Sequence, residues 1–237
     1  MTLRNAKAQM SQLIVCLTLF VMMGSAVEAA TTHLPTAQTL VSNLLVSKKN
    51  VYGSSPSTIL WNGTSSEART VCSTFMSLLL KHTYAYTDSY FSSWFGSTSP
   101  SAALYHDTIN LQKGFQKITN VTQIQAGDVF AIKYFDGAAN TGHVMLAAGV
   151  PHLRNATSPL VSGSTQYDIE VIDSSQSYHG KTDTRYTSGQ PGGIGKGVFR
   201  IYASANGAIV GYTWSLESNS TFYAPAAHDL VVGRLSN

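Results

Sequence analysis

Cys72, in the stretch RTVCSTFMSLLL (69–80), is the residue of this sequence best suited to covalent chemistry. A thiol is a nucleophile only as its anion. That state needs nearby positive potential, a base to take the proton and a group that orients the base. A cysteine opening a helix meets the first need. Val71, Phe75, Leu78 and Leu79 recur at helical spacing, and a helix capped by Thr70 puts the sulfur at its second position, beside unpaired amides. A rival start at Thr64-Ser-Ser-Glu67 has capping-box spacing and carries Cys72 two turns in, beyond the reach of the helix dipole. Cys72 also shares a face with Met76 and Leu79, so an inert core thiol is the bland alternative.

Seven histidines compete for the role of base. His143 stands out because Gly142 clears space before it and the apolar run VMLAAGV follows, so it opens a strand. Asp173 ends the alternating run YDIEVID. Strands adjacent in sequence often pair, which lets the ends of 144–150 and 167–173 meet; the alternative for Asp173 is a turn former ahead of Ser174-Ser175. His179 and Asp183 have the H-x-x-x-D spacing of some zinc peptidases, with side chains suited to Zn²⁺. No H-x-H partner accompanies them, and three protein ligands are needed. The simpler reading is that the SYHGKTD loop borders the thiol site, with His179 contacting substrate or Asp173 while Asp183 pairs with Arg185. PGGIGKG lacks the Ser/Thr and following helix of a phosphate loop and reads as a turn entering VFRIY.

The elements that must hold these residues follow from periodicity. Ala37, Leu40, Val41, Leu44 and Leu45 predict a helix over 36–46, the cysteine helix comes next, and Ser99-Pro100 predicts another helix start. The segment from Thr83 to Phe95 is dense in aromatics (Tyr84, Tyr86, Tyr90, Phe91, Trp94, Phe95), which read as core more than as a roof over a groove. Trp61 and Trp214 are candidates to stack on a sugar or peptide. From Ala126 onward the texture is that of strands: VFAIKYF, GHVMLAAGV, YDIEVID, VFRIY, AIVGYTW and a last one around Leu230-Val232, with Ala205-Asn206-Gly207 as a hairpin turn. Helices first and antiparallel strands afterwards predict an α+β domain.

Composition bounds the setting. Arg4 and Lys7, the apolar run 13–23 and the small residues of GSAVEAA predict a signal peptide over 1–29, followed by one domain over 30–237. Cleavage removes Cys16 and leaves Cys72 alone. The net charge of +3 becomes +2 once Arg4, Lys7 and Glu28 are gone. With 11% charged residues, neither a nucleic-acid surface nor a polybasic membrane patch is expected. The protein is expected to be exported, periplasmic or extracellular, with no stable membrane insertion after cleavage.

CS-x-F opening a helix, GD-V before a strand, GHV opening the next and an acid ending the one after occur in this order between about residues 51 and 202. Together they resemble the NlpC-type branch of papain-like cysteine hydrolases, which includes cell-wall peptidases and the related CHAP amidases. The longer pattern of ARTVCSTF, SPSAALYHD, TGHVMLA and IDSSQSYHG…DTRY is similar to a group of exported bacterial proteins of that superfamily. The resemblance implies a papain-like domain with its nucleophile at a helix start packed on an antiparallel sheet. It implies a cysteine peptidase or amidase that cleaves an amide bond, in peptidoglycan or another peptide substrate, without metal or cofactor. Cys72 would be the nucleophile, His143 the general base and Asp173 the orienter. Tyr52, Ser73, Gly142, Ser174 and His179 would bind substrate or the oxyanion. The sequence departs from the wall peptidases at Thr74, where glycine is usual, and at Asp173, where histidine is frequent. A non-catalytic wall- or peptide-binding protein, a zinc peptidase using His179 and Asp183, and an acyltransferase are the other readings.

Overall fold

The structure, a computed structural model, describes residues 33–135, 137 and 140–236. The predicted signal peptide lies outside the described residues, as does Asp136. The chain is α+β, with helices packed on a mostly antiparallel sheet. Helices α1 (His33–Ser47), α2 (Cys72–Tyr84), α3 (Asp88–Phe95) and α4 (Ala102–Asn110) come early, and a short α5 (Thr184–Thr187) comes late. Strands β1 (Asn50–Tyr52), β2 (Thr58–Leu60) and β3 (Glu67–Thr70) form a small sheet in the order β1-β3-β2, with β1 parallel to β3. The large sheet runs β10-β9-β8-β6-β5-β11-β4, with β7 paired to β8. Its strands are β4 (Phe115–Ile118), β5 (Val129–Tyr134), β6 (Gly142–Ala147), β7 (His152–Leu153), β8 (Ser164–Ser175), β9 (Gly193–Ser204), β10 (Ile209–Thr213) and β11 (His228–Leu235). Among the described residues no helix is long and apolar enough to cross a membrane.

The large sheet has a core on each face. Val144 and Leu146 of β6 join the helix-side core with Leu40, Phe75, Leu79 and Tyr105. Met145 and Ala147 join a second core with Phe130, Val171, Phe199 and Tyr212. Alternation along a strand accounts for the division. The second core is enclosed because the sheet curls until its edges meet. Asn120, just past edge strand β4, bridges to Ala208 in the β9–β10 hairpin, and the Val121 amide donates to the Gly207 carbonyl at 2.9 Å. Curling removes exposed edges and gives the interior side chains a dry volume.

Three expectations need correction. α2 is capped by neither Thr70 nor Thr64: Glu67–Thr70 is strand β3, and Val71, with extended backbone, is the N-cap. Pairing with β1 and β2 claims those residues for the sheet before a helix can begin. The cap of α4 is Ser101, whose hydroxyl accepts from the Leu104 amide, and not Ser99. PGGIGKG is no turn, because Gly193–Gly197 is the first part of β9, paired residue for residue with β8 from Ser175↔Gly193 to Val171↔Gly197. The aromatics of 83–95 are core in the main, with Phe91, Trp94 and Phe95 buried, and Trp61 stacks on His82 at 4.0 Å.

Candidate active site

Cys72 stands at the first position of α2 because β3 is bolted to the end of β8. Thr70 Oγ1 donates to Ser174 Oγ (3.0 Å), and Ser174 Oγ donates to the Thr70 carbonyl (2.7 Å). The chain then has one extended residue, Val71, before the helix turns. Valine has no side-chain acceptor, so the first amides of α2, including that of Ser73, have no side-chain cap. Thr74 supplies half of a capping box in reverse: its hydroxyl accepts from the Val71 amide at 3.0 Å. The helix end thus presents free N–H groups and positive potential beside the sulfur.

His143 is the second residue of β6, opposite Ile132 of β5. On the strand it shares the face of Met145 and Ala147, at the mouth of the curled sheet. Gly142 has φ +145°, and a Cβ there would overlap the Ile132 carbonyl oxygen, so this position serves the backbone path and not substrate. Asp173 lies near the end of β8, on the face of Val171. The His143 ring bonds the Cys72 side chain, while its Nε2 stands 2.6 Å from Asp173 Oδ2. Nε2 being engaged by Asp173, Nδ1 is the ring nitrogen left to serve the sulfur. Cys72 is 7% exposed and His143 8%, so both are nearly dry without being sealed. The Trp214 and His143 rings meet edge to face with their centroids 5.1 Å apart.

The electrostatics follow from these neighbours. Burial pushes the Cys72 thiol up, but the His143 charge, its hydrogen bond and that of the Val144 backbone outweigh burial and the opposing charge of Asp173, so the thiol lies below its ordinary value. Burial pulls His143 down. The charge on the sulfur, the bond to Asp173 and the bond to the sulfur push it up to about 10. Each of the two groups thus favours the charged form of the other. Asp173 would be raised by burial, but Arg185, His179 and the two imidazole bonds hold it well below the usual carboxylate range.

Behind Asp173 lies a layer the sequence reading caught only in part. His179 Nε2 is 3.0 Å from Asp173 Oδ2 and its Nδ1 is 2.6 Å from the Trp214 carbonyl. It is buried and touches Asp173, not substrate. With both ring nitrogens turned to oxygens, it has no lone pair to offer a metal, and Asp183 is equally occupied. Asp183 Oδ1 accepts from Arg185 Nε at 2.9 Å, and its Oδ2 accepts from Arg185 Nη2 at 2.6 Å and from the His179 amide at 2.9 Å. Arg185 Nη1 donates to the Gly193 carbonyl at 3.0 Å and lies 3.0 Å from Asp173 Oδ1, a contact with the geometry of an ion pair more than of a hydrogen bond. The expected pairing of Asp183 with Arg185 is present. The role of Arg185 beside Asp173 was missed.

The glycines were the available signal. A Cβ on Gly195 would strike the Arg185 side chain, and one on Gly197 would strike the His179 Cβ and Asp183 Oδ2. Alternate glycines on one strand face leave a slot for large side chains from elsewhere, and here the slot holds the charge layer. Of the other expected residues, Ser174 is fully buried and positions Thr70 without reaching substrate. Tyr52 ends β1 opposite Thr70 and is half-buried. Its phenol is pushed up by burial and then by the charges of Cys72 and Asp173. β1 is fixed by Asn50, which donates to Gln190 Oε1 and to the Ile194 carbonyl, each at 2.7 Å, and accepts from the Ile194 amide.

Uncharacterized protein R653 of Acanthamoeba polyphaga mimivirus is 33% identical to this chain over 175 residues, which cover 70% of the chain and 77% of the viral protein. The chain belongs to the family of that viral protein. Its name states no activity, so chemistry must be argued from the residues. No family model and no solved structure matches the chain.

Proposed function

We propose that this protein is an exported cysteine hydrolase of the papain-like, NlpC type that cleaves an amide bond in a peptide. The observation that carries the reading is the thiol at a helix start, bonded to an imidazole whose other nitrogen lies 2.6 Å from a buried carboxylate. The Cys72 thiolate attacks the carbonyl carbon, and the uncapped amides at the start of α2 receive the developing oxyanion. His143 passes its Nδ1 proton to the departing amine nitrogen, leaving an acyl thioester. Water then attacks the thioester carbon, giving its proton to His143 as the C–S bond breaks. The product is a carboxylic acid, and the thiolate–imidazolium pair is restored. Asp173 keeps Nε2 protonated throughout and so fixes which nitrogen works.

The resemblance of the motif order to cell-wall peptidases supports peptides of peptidoglycan as the substrate class. Incubating purified peptidoglycan with the wild type and with Cys72→Ser, followed by mass analysis of the fragments, tests the reading. New amine and carboxyl ends from the wild type alone are expected. The same fragments from both proteins would remove the sulfur from the mechanism.

A further inference from the structure

His179 has no part in the three-residue mechanism, yet its bonding is more constrained than that of His143. A carbonyl oxygen only accepts, so the 2.6 Å contact with the Trp214 carbonyl requires hydrogen on Nδ1. An ionised carboxylate also only accepts, so the 3.0 Å contact with Asp173 Oδ2 requires hydrogen on Nε2. Both ring nitrogens then carry hydrogen and the ring is a cation. The charged groups around it are Asp173 on β8, Asp183 and Arg185 at α5, and His143 on β6. Asp173 and Asp183 make two negative charges in this buried cluster, Arg185 makes one positive charge, and a cationic His179 completes the balance; one proton shared between Cys72 and His143 leaves that pair at net zero wherever it sits. Buried charge is tolerated where it is paired in this way. The absence of a side chain at Gly197 gives the ring its seat.

We propose that His179 is a positioning residue held as an imidazolium, sharing Asp173 Oδ2 with His143 so that the carboxylate orients His143 without gripping its proton too tightly or repelling the Cys72 thiolate. The proposal rests on Cys72 and His143 being the working pair. A carboxylate facing His143 alone would stabilise the imidazolium more strongly and hinder proton delivery to the leaving amine. It would also oppose ionisation of the sulfur. The second imidazolium offsets both effects from 3.0 Å behind.

Two measurements on the full chain test this. In ¹⁵N-histidine NMR at pH 7, with His179→Gln used for assignment, both His179 ring nitrogens are expected to carry hydrogen; a neutral tautomer overturns the proposal. The rate of Cys72 alkylation by iodoacetamide, followed against pH, is expected to have its midpoint about one pH unit higher in His179→Gln than in the wild type. An unchanged midpoint in a folded variant overturns it, and if the variant does not fold the wild-type spectrum decides. Neither readout involves amide cleavage. A wild type that alkylates at low pH and shows the doubly protonated ring but cuts no peptide leaves this inference standing while the hydrolase reading falls.

Discussion

His143 and His106 are both gripped by carboxylates at similar distances, and their surroundings make them different objects. His106 has Nδ1 3.0 Å from Asp107 Oδ1 and Nε2 2.9 Å from Asp229 Oδ2, with Lys133 Nζ 2.7 Å from Asp107 Oδ2. It ties α4 to β5 and β11. The side chains of Asp107 and Asp229 are 44% and 34% exposed, whereas that of Asp173 is 0% exposed. Water screens the first cluster, and each of its pairs is worth about 0–1 kcal/mol. In the second, water is nearly absent and a thiol stands on the free side of the ring. Bond lengths alone therefore do not distinguish a latch from a candidate reaction centre. Burial and a neighbouring thiol do.

The contrast can be broken most sharply at the sulfur. Cys72→Ala and His143→Ala are each expected to lower amide cleavage about 10⁴-fold, as measured by initial rates on a peptide substrate, while Asp229→Asn leaves the rate unchanged. A loss under tenfold in Cys72→Ala would put both clusters in the same structural class. Asp173→Asn should come next, at about 3–5 kcal/mol of stability in urea unfolding, because it takes the buried counter-charge from His143 and His179 and one of two from Arg185. Gly195→Ala should cost about 1–3 kcal/mol by pressing on Arg185. Gly149→Ala, where a Cβ meets nothing, should stay within about 0.5 kcal/mol. The smallest effect belongs to Asp229→Asn, below about 1 kcal/mol and fading with added salt.

A pH series sharpens the same comparison. Asp173 is depressed in the fold, so its contribution is present above the unfolded value of about 3.9 and is lost as pH falls towards the folded one. His143 is raised to about 10, so its contribution is full below about 6.5 and is lost as pH rises through 10. Urea midpoints should fall on both sides. Cys72→Ala should flatten the alkaline limb, since the sulfur's charge is the foremost influence raising His143.

Cys72, His143 and Asp173 were legible in the sequence because each sits at the start or end of a run with a clear pattern: a 3.6 period for the cysteine helix, an unbroken apolar run after His143 and alternation up to Asp173. Their order along the chain carried the rest. The α2 start was misread at Thr70 because local capping rules do not see a strand three residues long, opposite β3, that takes Thr70 first. The contact of Arg185 with Asp173 went unread for a similar reason. Asp173 is twelve residues away in sequence, across the loop from β8 to α5, and the slot that receives Arg185 is marked only by alternate glycines that look like a turn. The His179 position, reached by a loop that folds back beneath β9, was readable as a neighbour of the site but not as buried.

The strand latest in the chain, β11, lies between β5 and β4 and pairs with both. A nascent polypeptide emerging N-terminus first must therefore hold two barrel staves apart until residues 228–235 arrive to be wedged between them. Neither hydrophobic interior can be completed before that insertion, which makes assembly a late, long-range event. Cys72, on α2, is thus made early, and the cores on either side of the sheet close last.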